Sequence, residues 1–139
     1  MQNPKNILDA LEQLGFRERS LVCVASDPGS LANFSSLSRF LNARGLHPQV
    51  YTSGWAASRR EFDKLPRFAP SVIAEGDIVC LGSRVDYETT REQIRLIDSK
   101  NATSVFFFDA WKNYLTHFEC LTGAFEWPNW VTFPDALAQ

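Results

Sequence analysis

Four short apolar runs, separated by segments with helical periodicity, constrain the fold of this chain more than any other feature. The runs are SLVCVAS at 20–26, HPQVYTSG at 47–54, GDIVCLGS at 76–83 and TSVFFFD at 103–109. Each run has the length of a buried strand and is followed by turn-forming or polar residues. NWVTFPD at 129–135 predicts a fifth strand. Strands that alternate with helices at this spacing are typical of a parallel sheet covered on both faces.

The segments between the runs predict helices. The pattern at 30–45 is amphipathic, and Gly45 is expected to end that helix. A second helix is predicted over 55–65, a polar one over 86–101 and an outer one over 4–15. Because crossovers between parallel strands are right-handed, we expect a doubly wound, mostly parallel α/β fold. It would be one Rossmann-like three-layer sandwich spanning residues 1–139.

Composition narrows the classes of partner. A chain of 139 residues with 45% hydrophobic and 22% charged residues has the composition of one globular domain. The net charge of −2 gives no basic field for nucleic acid or anionic lipid. The polar start is unlike a signal peptide, and no apolar run has the length of a membrane span, so we expect a cytoplasmic protein.

Cysteine spacing and histidine neighbours indicate no metal site. Cys23 and Cys80 lie within apolar runs, Cys120 lies near the end, and no CxxC spacing occurs. We therefore expect buried free thiols rather than a disulfide framework. His47 and His117 have no metal-ligand companion, and a structural role is favoured over an acid–base pair of His117 with Asp109. No cofactor is predicted.

The loop after the first run contains the first candidate site. Ligands of parallel α/β sheets bind beyond the carboxyl ends of the strands, and SDPGSLAN follows the first strand. Gly29 permits a tight turn, Asp27 or Ser30 can cap the next helix, and free amides there, beside Asn33, can bind a phosphate or carboxylate. A capped turn without a ligand is the alternative. The loop has neither GxGxxG nor the P-loop lysine, so it does not indicate dinucleotide or NTP binding.

Loops after the third and fourth strands supply further candidates. One offers a turn, a hydroxyl and a guanidinium for an anion, and the other offers a carboxylate, two aromatic rings and an amide for a sugar or base. In the alternative, the carboxylate caps a helical turn and the aromatic residues pack beneath it. The candidates are Gly82, Ser83 and Arg84 in the first loop, and Asp109, Trp111, Asn113 and Tyr114 in the second.

Two surface features leave a choice between solvent and a partner. Residues 1–70 carry nine Lys/Arg against six Asp/Glu, and 71–139 carry five against ten. The basic cluster consists of Arg59, Arg60, Lys64 and Arg67. It is typical of a solvated helix face, with an anion or partner site as the alternative. The aromatic tail FEWPNW at 125–130 either covers the sheet edge or forms an interface.

These segments resemble the amino-terminal Rossmann-like half of GT-B type glycosyltransferases and their UDP-GlcNAc 2-epimerase-like bacterial relatives. VASDPGSLANFSSLSRFLNARG resembles their opening strand, glycine turn and helix, and HPQVYTSG their second strand. The segment 76–118 resembles the middle of that half, whose fourth strand ends in Asp-x-Trp-x-Asn-Tyr, here 109–114. WPNWVTFPDALA resembles the strand that closes it. The resemblance covers about residues 20–137.

The resemblance implies a role in surface glycan biosynthesis. It implies the acceptor-side half of such an enzyme, without a donor-binding half of its own, and therefore no catalysis by this chain alone. The expected ligand is a sugar, a sugar phosphate or another small anion, and Asp109 is the one candidate base. The alternative is a non-enzymatic interaction module with a degenerate crevice that forms a homodimer or binds a separate partner chain.

Overall fold

Five parallel strands form the centre of the fold. The computed structural model describes residues 11–82, 87–107 and 130–132 of the chain. The strands are β1 (Leu21–Ala25), β2 (Gln49–Thr52), β3 (Ile78–Gly82), β4 (Thr103–Phe107) and β5 (Trp130–Thr132). Their order is β2-β1-β3-β4-β5, and each neighbouring pair is parallel. All five predicted strands are therefore confirmed in position, with shorter bounds than the sequence runs.

Helices pack on both faces of this sheet. They are α1 (Pro28–Asn42), α2 (Gly54–Ala57) and α3 (Tyr87–Ser99). The helix predicted over 4–15 is described only from residue 11, where 11–13 are helical. No helix in the described part of the chain is long and apolar enough to cross a bilayer.

The prediction of a helix over 55–65 is wrong for most of that segment. The chain makes one turn of α-helix at Gly54–Ala57 and a 3₁₀ turn at Arg60–Phe62. The segment that follows then pairs with the outer edge of β2, where Thr52 N donates to Pro66 O at 2.9 Å and Phe68 N donates to Thr52 O at 2.8 Å. Because these backbone bonds hold the segment against an open strand edge, they compete with continuation of the helix.

Alternation along the strands divides the core into two clusters. Cys23 pairs with Val50 on one side and with Cys80 on the other, so equivalent positions share a face. One face is covered by α1 through Leu31, Phe34 and Leu41, and the other by α3 through Ile94 and Ile97. These helix residues are all buried, and the predicted three-layer sandwich is confirmed.

Three helices end in the same way before a strand. After α1, Leu46 N donates to Leu41 O at 3.0 Å and Gly45 N donates to Asn42 O at 3.1 Å, with Gly45 at φ +79°. This is the Schellman pattern, and it confirms the predicted stop at Gly45. The same pair of bonds ends the helical segment at 11–13, with Gly15 in the position of Gly45. It also ends α3 at Asn101, whose φ is 56°.

Arg19 ties together the amino ends of three strands. Its Nε donates to Gly76 O at 2.7 Å and its Nη2 to Thr103 Oγ1 at 2.8 Å, and further bonds reach Leu14 O and Asp77 O. Arg19 precedes β1, Gly76 precedes β3 and Thr103 begins β4. One planar guanidinium thus fixes the starting points of neighbouring strands.

Candidate functional site

The strand order places a topological switch point between β1 and β3. From β1 the chain crosses to β2 on one side of the sheet, and it then returns to β3 on the other side of β1. In doubly wound sheets the crevice for a ligand opens at this reversal, beyond the carboxyl ends of the strands. The same strand order, with its reversal between the first and third strands, occurs in flavodoxin-like folds.

A capping box forms the turn that follows β1. Asp27 Oδ1 accepts from Ser30 N at 2.7 Å, and Ser30 Oγ accepts from Asp27 N at 3.2 Å and from Ser26 N at 3.1 Å. Both residues that the sequence offered as caps therefore act together. The reciprocal bonds hold α1 in a fixed direction relative to β1.

The same bonds reduce the capacity of this turn for an anion. The amides of Ser26, Asp27 and Ser30 donate within the turn, and Pro28 has no N–H. Within residues 26–30, the amide of Gly29 is the one left for a ligand. The Asp27 carboxylate occupies the position in which a helix amino terminus would hold an anion. The turn therefore favours a hydroxyl group, which can donate to a carboxylate, over a phosphate.

Gly82 and Ser30 are in direct contact at the switch point. A Cβ placed on Gly82, the last residue of β3, would lie 2.3 Å from Ser30 Cβ. Ser30 is 1% exposed. The sequence predicted a turn at Gly82, whereas the structure places it within the strand, where the absence of a side chain lets α1 approach β3. Two of the predicted site residues are thus brought together.

A hydroxyl pair that the sequence patterns did not reveal lies beside this contact. Ser26 Oγ and Ser53 Oγ are 2.7 Å apart, and Ser53 N donates to Ala25 O at 2.9 Å. Ser26 is buried and Ser53 is half-buried. Each serine is the first residue after a strand, β1 or β2, and this shared position is the signal that could have identified the pair.

The remaining predicted site residues divide into two groups. Asn33 lies on α1 beyond the capping box and is half-buried. The others lie outside the described residues: Ser83, Arg84, Asp109, Trp111, Asn113 and Tyr114. Gly82 pairs with Phe107, so the chain leaves β3 and β4 at the same edge of the sheet as the serine pair. The strand geometry that the two loops require is therefore present.

The basic cluster lies on an exposed segment that contains one 3₁₀ turn, and not on an α-helix. Arg59 Nε is 3.1 Å from Glu61 Oε1, and both side chains are more than half exposed. Arg60, Lys64 and Arg67 are exposed as well. An exposed pair of this kind contributes little to stability. Solvation of the cluster fits the described contacts, although the helical face predicted for it is absent.

Two cysteines face each other in the middle of the sheet. Cys23 and Cys80 are register partners, both fully buried and free. A side-chain hydrogen bond to Cys80, together with burial, raises the pKa of the Cys23 thiol well above its ordinary value. The predicted buried thiols are confirmed for this pair, while Cys120 and His117 lie outside the described residues. Among the described residues no group of three His, Cys, Asp or Glu side chains could hold a metal ion.

Comparison with known proteins identifies no relative. No family model, curated protein or solved structure matches this chain. The class of protein that fold and site define is therefore a doubly wound α/β domain with a polar switch point, and the resemblance to glycosyltransferases stays a prediction.

Proposed function

We propose that this chain is a ligand-binding α/β domain that takes a sugar-like ligand beyond the carboxyl ends of β1, β2 and β3. Its role would be that of the acceptor-side half of a GT-B type glycosyltransferase in surface glycan biosynthesis. The family and the pathway rest on the sequence motifs. The position of the site rests on the switch point between β1 and β3.

The observation that carries the proposal is the meeting of three strand ends in one polar cluster. Ser26 and Ser53 share a hydrogen bond across β1 and β2, and Ser30 packs against Gly82 at the end of β3. Sugar recognition uses a few fixed hydroxyl, carboxyl and amide groups on a rigid frame. Serine hydroxyls both donate and accept, so they can exchange their mutual bond for bonds to a ligand.

The cap of α1 supports the proposed ligand class. The carboxylate of Asp27 and the bonded amides of this turn favour the neutral, hydroxyl-bearing part of a sugar at this position. A phosphate group of the same ligand would be held elsewhere in the crevice. Arg84 is the predicted partner for it, from its guanidinium chemistry alone.

A thermal-shift panel tests the proposal. Neutral mono- and disaccharides, sugar phosphates and nucleotides would each be added to the full chain. A ligand at ten times its Kd adds about 1.4 kcal/mol to the free energy of unfolding. For a domain of this size that corresponds to a rise of about 4 °C in Tm. We expect the rise with at least one sugar-containing compound.

Matched variants locate the binding. Ser53→Ala removes one hydroxyl of the pair and should reduce the ligand-induced rise, whereas Ser36→Ala, on the exposed side of α1, should leave it intact. Asp109→Ala tests the residue that the family resemblance selects. A panel that leaves the Tm unmoved, together with sedimentation as a dimer, would favour the interaction module instead.

A further inference from the structure

Two free thiols, Cys23 and Cys80, lie side by side on neighbouring strands of the sheet. Cys23 is the central residue of β1 and Cys80 is the central residue of β3, and the two are register partners in a parallel pair. Side chains of register partners point to the same face of a sheet. Both cysteines belong to the core cluster covered by α1, and both are 0% exposed. The two thiols are therefore neighbours in a compartment closed to solvent.

The spacing of neighbouring strands is compatible with a disulfide between this pair. Hydrogen-bonded strands lie about 4.8 Å apart, and Cα atoms joined by a disulfide are about 4.4 to 6.8 Å apart. The β carbons of register partners are separated by about the strand spacing, whereas a disulfide brings them to about 3.8 Å. A disulfide at this position would therefore be strained, and strained disulfides are readily reduced again.

The position of the pair beneath α1 controls its reactivity. Leu31, Phe34 and Leu41 of α1 belong to the same core cluster as the two cysteines. A hydrogen bond to Cys80, together with burial, raises the pKa of the Cys23 thiol, and a protonated thiol is a poor nucleophile. The pair is therefore protected in the closed fold. It becomes reactive when α1 separates from the sheet, during folding or in a local opening of the structure.

We propose that Cys23 and Cys80 form a redox-sensitive switch, which closes a disulfide between β1 and β3 by exchange with a low-molecular-weight disulfide such as oxidised glutathione. The thiolate of one cysteine attacks a sulfur of oxidised glutathione, which forms a mixed disulfide and releases one glutathione thiolate. The second cysteine thiolate attacks the protein sulfur of the mixed disulfide and releases the other glutathione. Two protein thiols are thereby oxidised to one disulfide, one oxidised glutathione is reduced to two thiols, and the two protons of the cysteines pass to those thiols.

The disulfide would connect the two strands that flank the switch point. Cys23 and Cys80 each lie two residues before the end of their strand, at Ala25 and Gly82. A covalent bond there would hold β1, which leads into Ser30, at a fixed distance from Gly82. It would also close a long loop between the two cysteines, which lowers the entropy of the unfolded chain. This switch goes beyond the proposed function, because it depends on no ligand.

Intact-mass measurement of the Cys120→Ala chain tests the proposal. This variant keeps Cys23 and Cys80 as its two thiols, so an intramolecular disulfide can join no other pair. The chain would be refolded from urea in a buffer of reduced and oxidised glutathione. We expect a monomer lighter by two hydrogen atoms, with a Tm about 5 °C above that of the dithiol form, and reversal of both changes by dithiothreitol. In the folded chain the same reaction should be slower, and urea below the unfolding transition should accelerate it.

A matched control and the unmodified chain complete the experiment. Cys80→Ala in the Cys120→Ala background leaves one thiol and should never lose two hydrogen atoms. In the unmodified chain, peptide mapping should find a link between Cys23 and Cys80 after the same refolding. Absence of the mass loss, or a link to Cys120 in place of this one, would overturn the proposal. A disulfide form with a lower Tm than the dithiol form would overturn it as well, because the native strands would then not accommodate the bond.

Discussion

The amino ends and the carboxyl ends of the strands, here the amino edge and the carboxyl edge of the sheet, are held together by different interactions. At the amino edge, one long side chain, Arg19, donates to backbone carbonyls before β1 and β3 and to a hydroxyl on β4. At the carboxyl edge, the ties are short: serine hydroxyls, a capping carboxylate, and the contact of Ser30 with Gly82. One long side chain connects the strands at the amino edge, whereas short side chains in direct contact connect them at the carboxyl edge.

This difference indicates at which edge hydrogen bonds within the protein can be replaced by bonds to a ligand with the smaller loss of stability. A guanidinium with four bonds to protein acceptors gives up stability if any of them is replaced. A pair of serine hydroxyls that bond each other can turn toward a ligand without leaving a buried carbonyl unpaired. The amino edge is thus suited to holding the strands together.

Substitution of Arg19 at the amino edge should have the largest effect on stability. Arg19→Ala leaves carbonyls of Leu14, Gly76 and Asp77 without their charged donor, and we expect a loss of about 3 kcal/mol in the free energy of unfolding. Urea unfolding measures it. Arg19→Lys keeps the charge but cannot span the same acceptors, so it should recover little. Full recovery by lysine would show that charge, and not the forked geometry, holds this edge.

A larger side chain at Gly82, at the carboxyl edge, should have the second-largest effect on stability. Gly82→Ala forces a Cβ into contact with Ser30 Cβ and should cost about 2 kcal/mol. Ser30→Gly removes the opposing atom, so the double variant should be at least about 1 kcal/mol more stable than the sum of the single effects predicts. Additive losses in urea unfolding would mean that α1 does not limit the space at Gly82.

The Cys23 thiol, in the middle of the sheet, should make the free energy of unfolding depend on pH. The folded chain holds the Cys23 proton more tightly than the unfolded chain, because the hydrogen bond to Cys80 and burial raise its pKa. This stabilisation is complete below the unfolded thiol pKa, about 8.5. It falls as pH rises above that value, by at most about 1.4 kcal/mol per pH unit.

The slope of stability against pH isolates this thiol. Urea unfolding from about pH 7.5 to about pH 10 in a reducing buffer, a range that spans the ordinary thiol pKa, should show a steeper decline for the unmodified protein than for Cys23→Ala. The comparison of slopes is independent of the cavity that the substitution creates. Equal slopes would contradict a raised thiol pKa at the centre of the sheet.

Loss of the helix cap should have the smallest effect. Asp27→Ala removes the acceptor for Ser30 N and should cost about 1 kcal/mol of unfolding free energy. Asp27→Asn retains a capping oxygen and should cost less than half as much. If the two variants lose the same stability, the carboxylate charge contributes more than the cap. Asp27→Asn also reports whether that charge affects sugar binding at the switch point.

Much of the fold could be predicted from the sequence, because local pattern and burial agree in most elements. The strand runs are apolar throughout since both faces of the sheet are covered, and α1 and α3 have the expected buried faces. The crossover after β2 could not be predicted in this way. Its residues had acceptable helical spacing, but backbone bonds between Thr52 and the segment at 66–68 act across the edge of the sheet.

The candidate site could be predicted only in part. The DPG turn identified the Asp27–Ser30 cap because capping is a local interaction within four residues. The Ser26–Ser53 pair and the contact between Ser30 and Gly82 join positions 27 and 52 residues apart, and a single sequence without strand order does not bring them together. The other predicted residues, after β3 and β4, are still predictions.

The sequence by itself determined the class of fold, the strand runs and the helix ends at Gly45 and Asp27, because these depend on burial pattern and on hydrogen bonds between close neighbours. The tertiary structure alone decided the strand order, the reach of Arg19 across the amino edge and the reason for glycine at Gly82. These depend on distances between segments far apart in the chain, which only the packing of α1 and the neighbouring strands against β1 sets.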